Sequence, residues 1–341
     1  MAFALAGTRG ADRRSAPWSG LLAAIRGSPL PIGETKENEL KIATAVVGTV
    51  IENHGALFDV LLEGRVVHCC LRGKLKKDKQ KQAAPIAAGD RVEVVLLEPT
   101  RGVVERVLPR ETDLSRKAAG SVPLQQTLVA NVDQALVVFA AAEPRTNFFF
   151  LDQFLAMASA GGLTQVICIN KCDLVSPEFL RDEYAVYRRI GYRVFCASAH
   201  RGDGIAELRE LLKERRSVLC GPSGVGKSSL LNAVSPGFSL RTTETGTVTH
   251  KGRHTTSSIS FLELPFGGWV ADTPGLRQLG LWEPTQNEIR AAYPDLQPFL
   301  DQCQFTNCSH RAEQGCGLRE AIRRREVDER RVRSFLQMGG R

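Results

Sequence analysis

No run of about 18 apolar residues occurs in the 341-residue sequence, so a membrane-spanning helix is not expected. Acidic residues are nearly missing from the first 33 positions, where Arg9, Arg13, Arg14 and Arg26 face only Asp12. Two readings remain for that stretch: a flexible basic tail over residues 1–41, or an organelle transit peptide. Its scarcity of serine favours the tail. The pattern of a secretory leader is also lacking. The expected compartment is therefore a reducing interior: the cytoplasm, or an organelle stroma or matrix if residues 1–33 target one. The nine cysteines are odd in number and unevenly placed, which argues against a disulfide framework. Cys168, Cys172, Cys196 and Cys220 sit in or beside apolar runs, where a cysteine is usually a small buried hydrophobe. The formal net charge of +8 leans, weakly by itself, toward a polyanionic partner such as nucleic acid.

The remaining chain divides by pattern. Residues 42–111 read as short strands rich in Val and Leu with Gly at the breaks, as in "TAVVGTVIEN", "LFDVLLEG" and "DRVEVVLLE". Five such strands would suit an OB-fold barrel. Arg72 to Gln82 form a strongly basic loop, either solvated or, as in OB-folds, a holder of nucleic acid. Over residues 112–280 apolar strands alternate with amphipathic helices, the signature of a parallel sheet covered by helices. Residues 281–341 are polar and loop-rich, then helical and rich in arginine.

"GPSGVGKSS" matches the phosphate-loop pattern G-x-x-x-x-G-K-[ST], between the strand "SVLC" and the helix "SSLLNAV". Triphosphate oxygens need several donors converging on them. The backbone N–H groups of Gly221, Pro222, Ser223, Gly224, Val225 and Gly226 (proline excepted) can wrap the phosphates, because glycine permits close approach. Lys227 adds a point charge, and the helix of Ser228 and Ser229 directs its positive end at the anion. Ser228 can ligate Mg²⁺. In "ADTPG", Asp272 follows an apolar strand and is the candidate second Mg²⁺ residue, while Gly275 can donate its N–H to a γ-phosphate.

The base is read elsewhere. "NKCD", Asn170, Lys171, Cys172 and Asp173, ends the strand "TQVICI". Guanine presents two adjacent donors, which one carboxylate, Asp173, can accept together; adenine presents none of that kind. Mispairing at such a site costs roughly 10⁴–10⁵ in selectivity. Lys171 can lie over the base, and Ser198 and Ala199 of "CASA" can bring an N–H to the guanine carbonyl. A GTPase that orients water with glutamine carries it directly after D-x-x-G. Here that place holds Leu276, so slow intrinsic hydrolysis is expected. His254 in "GRHTT" is the candidate for ordering water, against the alternative of an ordinary loop residue. Thr255 or Thr256 is the candidate sensor of Mg²⁺ and γ-phosphate.

Cys303, Cys308, His310 and Cys316 fall within fourteen residues. Three thiolates and one imidazole are the donor set of a closed structural zinc site. The intervening segment has little apolar material, so a metal would supply its local folding energy. Residues 318–335 read as one helix carrying Arg319, Arg323, Arg324, Arg325, Arg330, Arg331 and Arg333, either a solvated face or an rRNA contact.

The motif order is unusual. N-K-x-D and S-A precede the phosphate loop, the order obtained by joining the termini of an ordinary small GTPase and reopening it elsewhere. In this order, and in N-K-C-D, G-P-S-G-V-G-K-S-S, G-R-H-T-T, D-T-P-G and the Cys/His cluster, the chain closely resembles the RsgA (YjeQ) family of circularly permuted GTPases over about residues 42–335. The resemblance implies ribosome-stimulated GTP hydrolysis late in assembly of the small ribosomal subunit. The expected partners are that subunit, its rRNA and GTP or GDP. The expected cofactors are Mg²⁺ with GTP and one structural zinc. Nothing in the sequence calls for more than a monomer. The expected fold class is multidomain α/β: an N-terminal all-β OB-fold barrel, a central circularly permuted P-loop GTPase domain and a C-terminal zinc-binding, mainly helical domain.

Overall fold

Alternating apolar residues in the first strands close a barrel. The computed structural model describes residues 45–72, 86–117, 125–236, 259–272 and 284–340. Strands β1 (Val46–Asn53), β2 (Leu57–Leu62), β3 (Arg65–Leu71), β4 (Arg91–Glu98) and β5 (Arg101–Val107) pair in the order β1-β2-β3-β5-β4, and β4 returns to β1. Only β3 and β5 run parallel. Inward residues, among them Val50, Phe58, Val60, Leu62, Val67, Val92 and Val104, fill the barrel. The basic loop anticipated over residues 72–82 lies, beyond Arg72, outside the described residues.

A hairpin of β6 (Asp113–Lys117) and β7 (Gln125–Ala130) follows. It carries the chain into a second sheet made of β8 (Gln134–Ala140), β9 (Thr164–Asn170), β10 (Arg193–Cys196), β11 (Arg216–Cys220), β12 (Ser260–Glu263) and β13 (Trp269–Asp272), in the order β10-β9-β8-β11-β13-β12. All seven residues of β8 are buried, as expected of a strand covered on both faces. One face carries α1 (Phe148–Ala160), α2 (Pro177–Glu183) and α3 (Ala185–Ile190), through Leu151, Phe154, Leu180 and Tyr187. The other carries α4 (Ile205–Leu212) and α5 (Lys227–Val234), through Leu208, Leu212, Leu230 and Val234. The sheet is parallel except at its edge, where β12 runs antiparallel to β13. That departs from the all-parallel expectation: the short connection from β12 to β13 forms a hairpin, which needs no crossover helix.

The edge strand β12 is itself paired with β1, with Glu52 opposite Ser260, so barrel and second sheet are hydrogen-bonded into one surface. The junction is reinforced beside Gly89, where Ala130 N donates to Ala88 O at 2.9 Å and Asn131 Nδ2 to Gly89 O at 2.9 Å. A Cβ on Gly89 would sit 1.9 Å from Ala130 O, so only glycine permits this approach. Buried Asp90 holds the barrel side, receiving Arg110 Nε at 2.7 Å and Nη2 at 2.8 Å.

The C-terminal helices are α6 (Gln286–Ala291), α7 (Gln297–Leu300), α8 (Gly317–Arg323) and α9 (Glu329–Gln337). The single helix expected over residues 318–335 is two, α8 and α9, broken where Arg325 takes a left-handed φ of 59°. The arginine face meets the expectation in part: Arg323, Arg324, Arg325 and Arg333 are exposed, but Arg330 and Arg331 turn inward. Arg331 is only 1% exposed. It reaches Asp152 of α1, donates to Asp295 at 2.9 Å, and stands 4.1 Å over the Tyr293 ring. Burial works to neutralise the guanidinium, but the Asp152 and Asp295 carboxylates outweigh it and hold Arg331 charged. Arg330 lies over the Phe148 ring at 4.6 Å and pairs with Glu183. These two arginines fasten α9 to the helices of the second sheet, through Arg331 in the interior and Arg330 at its margin.

Candidate functional site

The sequence motifs converge because the strands carrying them end on one edge of the sheet. In open α/β sheets ligands bind beyond the carboxyl ends of the strands. β9 ends in Asn170, β10 leads into Ser198 and Ala199, and β11 ends at Cys220, directly before the phosphate loop. Asn170 is 2% exposed and ties the three together. Its Nδ2 donates to Val225 O at 2.8 Å, and its Oδ1 accepts from Ala199 N at 3.3 Å. Gly226 packs against it with φ +88°, and a Cβ there would lie 2.3 Å from Asn170 Nδ2.

The result is a cavity of about 460 Å³ lined by Asn170, Lys171, Asp173, Leu174, Ser198, Ala199, His200, Gly226 and Ser229. Seven of these are candidates from the sequence; Leu174 and His200 are not. His200 was detectable only as the residue after S-A, a place with no fixed chemistry. Lys171 adopts a left-handed φ of 58° and its Nζ donates to Glu143 O, a backbone acceptor that no motif reveals. The Ser198 side chain above all holds the Asp173 carboxyl below the usual carboxylate range, so it is an anion at neutral pH. That anion is the acceptor a two-donor base edge requires.

The phosphate loop lies beside this cavity. Gly221, Gly224 and Gly226 all take positive φ. Val225 is 1% exposed and anchors the loop to the core. Lys227 Nζ donates to Gly221 O at 2.8 Å and to Pro222 O at 2.7 Å, so the ammonium stands over the loop. Ser228 and Ser229 open α5, whose first N–H groups have no partner within the helix. Pro222 and Ser223 complete the loop. The backbone of Asp272 ends β13, next to β11. His254, Thr255, Thr256 and Gly275 lie outside the described residues. Cys172 is half-buried at the turn after β9, and burial raises its thiol. Burial likewise pushes Cys220 up to about 12, consistent with an inert packing role.

A second centre lies in the C-terminal helices. One donor atom each from Cys303, Cys308, His310 and Cys316 falls within 4.8 Å of all the others. His310 Nδ1 is 3.4 Å from Cys303 Sγ and 3.5 Å from Cys316 Sγ, and the two sulfurs are 4.0 Å apart. Tetrahedral zinc, with Zn–S about 2.3 Å and Zn–N about 2.0–2.1 Å, sets its ligand atoms about 3.5–3.8 Å apart. The donors therefore fit that ion in kind and spacing. Burial pushes the Cys308 thiol up to about 11, a cost that a bound dication would reverse. Glu313 shapes the turn by accepting from Ser309 N at 2.8 Å and from Arg311 N and Ala312 N at 3.1 Å. Chiefly through Ser309, its carboxyl is held down at about 2. Sequence spacing did not reveal this role.

Residues 107–282 match the RsgA GTPase family and residues 47–104 the RsgA N-terminal domain. Among curated proteins, the small ribosomal subunit biogenesis GTPase RsgA of Gemmatimonas aurantiaca is 40% identical over 300 residues, 87% of this chain and 97% of that protein. Its namesake in Moorella thermoacetica is 41% identical over 293 residues, 85% and 94% of the two chains. Among solved structures, YjeQ from Thermotoga maritima aligns with a TM-score of 0.70 at 34% identity, over 86% of this chain and 97% of that one. YloQ, described as a circularly permuted GTPase, aligns with a TM-score of 0.64 at 27% identity, over 89% and 96%.

Proposed function

The chain belongs to the RsgA GTPase family and is a GTP hydrolase, and from that premise we propose that it hydrolyses GTP while bound to the small ribosomal subunit late in that subunit's assembly, and that the ribosome stimulates the reaction. The observation that carries the nucleotide reading is Asn170, which joins the N-K-C-D turn, the S-A loop and the phosphate loop around one cavity. The names of the curated relatives support the ribosomal partner.

In this reading Asp173 accepts the two donors of guanine, Ala199 N–H faces its carbonyl, and the stem of Lys171 covers the base. The loop amides from Gly221 to Gly226 hold the phosphates. Lys227 exchanges the Gly221 and Pro222 carbonyls for β- and γ-phosphate oxygens. Ser228 and Asp272 would hold Mg²⁺, which would supply charge neutralisation at the phosphate oxygens when bound. Gly275 and Thr255 or Thr256 sense the γ-phosphate, and His254 orders the attacking water in place of the glutamine that Leu276 displaces. Catalysis then rests on positioning and electrostatic stabilisation. With Leu276 after D-T-P-G, hydrolysis by the free protein is slow and the subunit completes the site.

The proposed division is a flexible basic tail over 1–41, an OB-fold over 42–111, the permuted GTPase domain over 112–280 and a zinc-binding domain over 281–341. Cys303, Cys308, His310 and Cys316 hold one structural zinc. The barrel and the C-terminal domain supply the rRNA contacts, in a monomer working in the cytoplasm. The test is GTP hydrolysis by the purified chain alone, with small subunits and with large subunits, and with ATP as control. Stimulation by small subunits only, absent with ATP and lost in Lys227→Ala, is the expected result. If neither subunit stimulates, the ribosomal assignment fails.

A further inference from the structure

The barrel carries a cluster that nucleotide chemistry does not use. Strand register sets Glu52 of β1 directly opposite Asp59 of β2, and Asp59 opposite His68 of β3. The turn after β1 is closed by His54 N donating to Leu57 O at 2.9 Å, and it folds His54 back over the same row. His54 Nε2 is 3.3 Å from Asp59 Oδ2, and His54 Nδ1 is 3.9 Å from Glu52 Oε1. His68 Nδ1 is 2.7 Å from Asp59 Oδ1. One donor atom each from Glu52, His54 and Asp59 lies within 4.8 Å of the other two.

Two carboxylates directly opposite on neighbouring strands destabilise a sheet through repulsion. A divalent cation held by both would offset that repulsion. Imidazole with carboxylates is a donor set suited to first-row dications such as zinc. His54 Nε2 stands 3.3 Å from Asp59 Oδ2, a separation that ligands about 2.0–2.1 Å from a tetrahedral zinc also adopt, whereas Glu52 lies 3.9 Å from the other ring nitrogen and would turn to join the ion. The side chains of Glu52 and Asp59 are 18% and 20% exposed, while His54 at 43% stays open to solvent, so an ion has a path in.

We propose that Glu52, His54 and Asp59 form a second divalent-metal site, of zinc class, on the barrel. His68 is a positioning residue: its bond to Asp59 Oδ1 orients the carboxylate and leaves Oδ2 toward His54. The site is separate from the cysteine cluster and from nucleotide-bound Mg²⁺.

The test uses the full chain, free of nucleotide, with the cysteine cluster already saturated with Zn²⁺. Further Zn²⁺ is added under calorimetric observation, and bound metal is counted by elemental analysis after gel filtration. One additional equivalent is expected. His54→Ala, in an exposed turn, and Asp59→Asn, which keeps shape but removes charge, should each abolish it. His68→Ala should keep the stoichiometry while weakening binding about 10–100-fold, as loss of a ligand-orienting partner does. Circular dichroism verifies that each variant is folded. A wild-type chain that stops at the cysteine-bound ion overturns the proposal. So does a second equivalent that survives both His54→Ala and Asp59→Asn.

Discussion

Replacing Asn170 with alanine separates the loops that form the nucleotide cavity. The side chain is 2% exposed and makes two bonds, to Val225 O at 2.8 Å and from Ala199 N at 3.3 Å. Removing one partner of a buried hydrogen bond costs about 1–3 kcal/mol. The second bond is long and belongs at the low end, so the pair together amounts to about 2–4 kcal/mol. The phosphate loop and the S-A loop both border the cavity, so they relax apart in the free protein. Nucleotide binding must then draw them together again, and most of the cost falls on affinity. At about 1.4 kcal/mol per tenfold, GDP binding weakens roughly 30–1,000-fold. Titration with a fluorescent guanine nucleotide measures the change, and circular dichroism verifies that the helices persist. An affinity within threefold of wild type, in a folded variant, would refute the role assigned to Asn170.

Other expectations follow from the same geometry. Asp173→Asn turns a double acceptor into a group with one donor and one acceptor, so preference should move from guanosine to xanthosine nucleotides; an unchanged ranking in competition titrations would count against base reading by Asp173. Arg331→Met leaves Asp152 buried without its cation, at a cost of about 3–5 kcal/mol. Amide exchange of α9 and α1 should accelerate by roughly 10²- to 4 × 10³-fold, and adding Asp152→Asn should restore part of the protection. Extraction of metal with a strong chelator should disorder the turn from Cys303 to Cys316 while leaving guanine-nucleotide affinity intact; a protein that carries no zinc as isolated would contradict the assigned cluster. Asp328 caps α9 by accepting from Arg330 N at 2.8 Å. Burial opposes its ionisation, but the bonds from Arg330 win and hold its carboxyl below the usual range. A depressed native value contributes stability above the unfolded value, near 3.9, which is lost as pH falls through the native one. Protection of α9 should therefore be flat from neutrality to about pH 5 and fall below about pH 4, and Asp328→Ala should abolish that dependence at a cost of about 0.5–2 kcal/mol.

Local patterns made much of this molecule legible before its structure. Six of the seven buried residues of β8, Ala135 to Ala140, read as a continuous apolar run, and the barrel strands showed their alternation. The phosphate loop, N-K-C-D and the Cys/His cluster are contiguous or closely spaced, so their chemistry could be argued from residue type. What escaped depends on contacts distant in sequence. Arg331 reads as one more arginine in a charged helix, yet Asp152, 179 positions earlier, buries it. Glu143 O meets Lys171 through its backbone, where side-chain identity carries no signal. The break between α8 and α9 turns on the left-handed backbone of Arg325, a conformation that arginine does not advertise. The β6–β7 hairpin lacked a long apolar run and was absorbed into the expected α/β pattern.

The pairing of β12 with β1 also bears on how the molecule can be shortened. Cutting away residues up to 111 to isolate the nucleotide-binding unit would uncover the outer edge of β12 together with Phe261, which is 6% exposed in the intact chain. An uncovered edge with an apolar neighbour is a template for adding another strand. The barrel therefore acts as a cap against self-association, and a truncated version should form dimers or larger aggregates unless charge is engineered onto that edge.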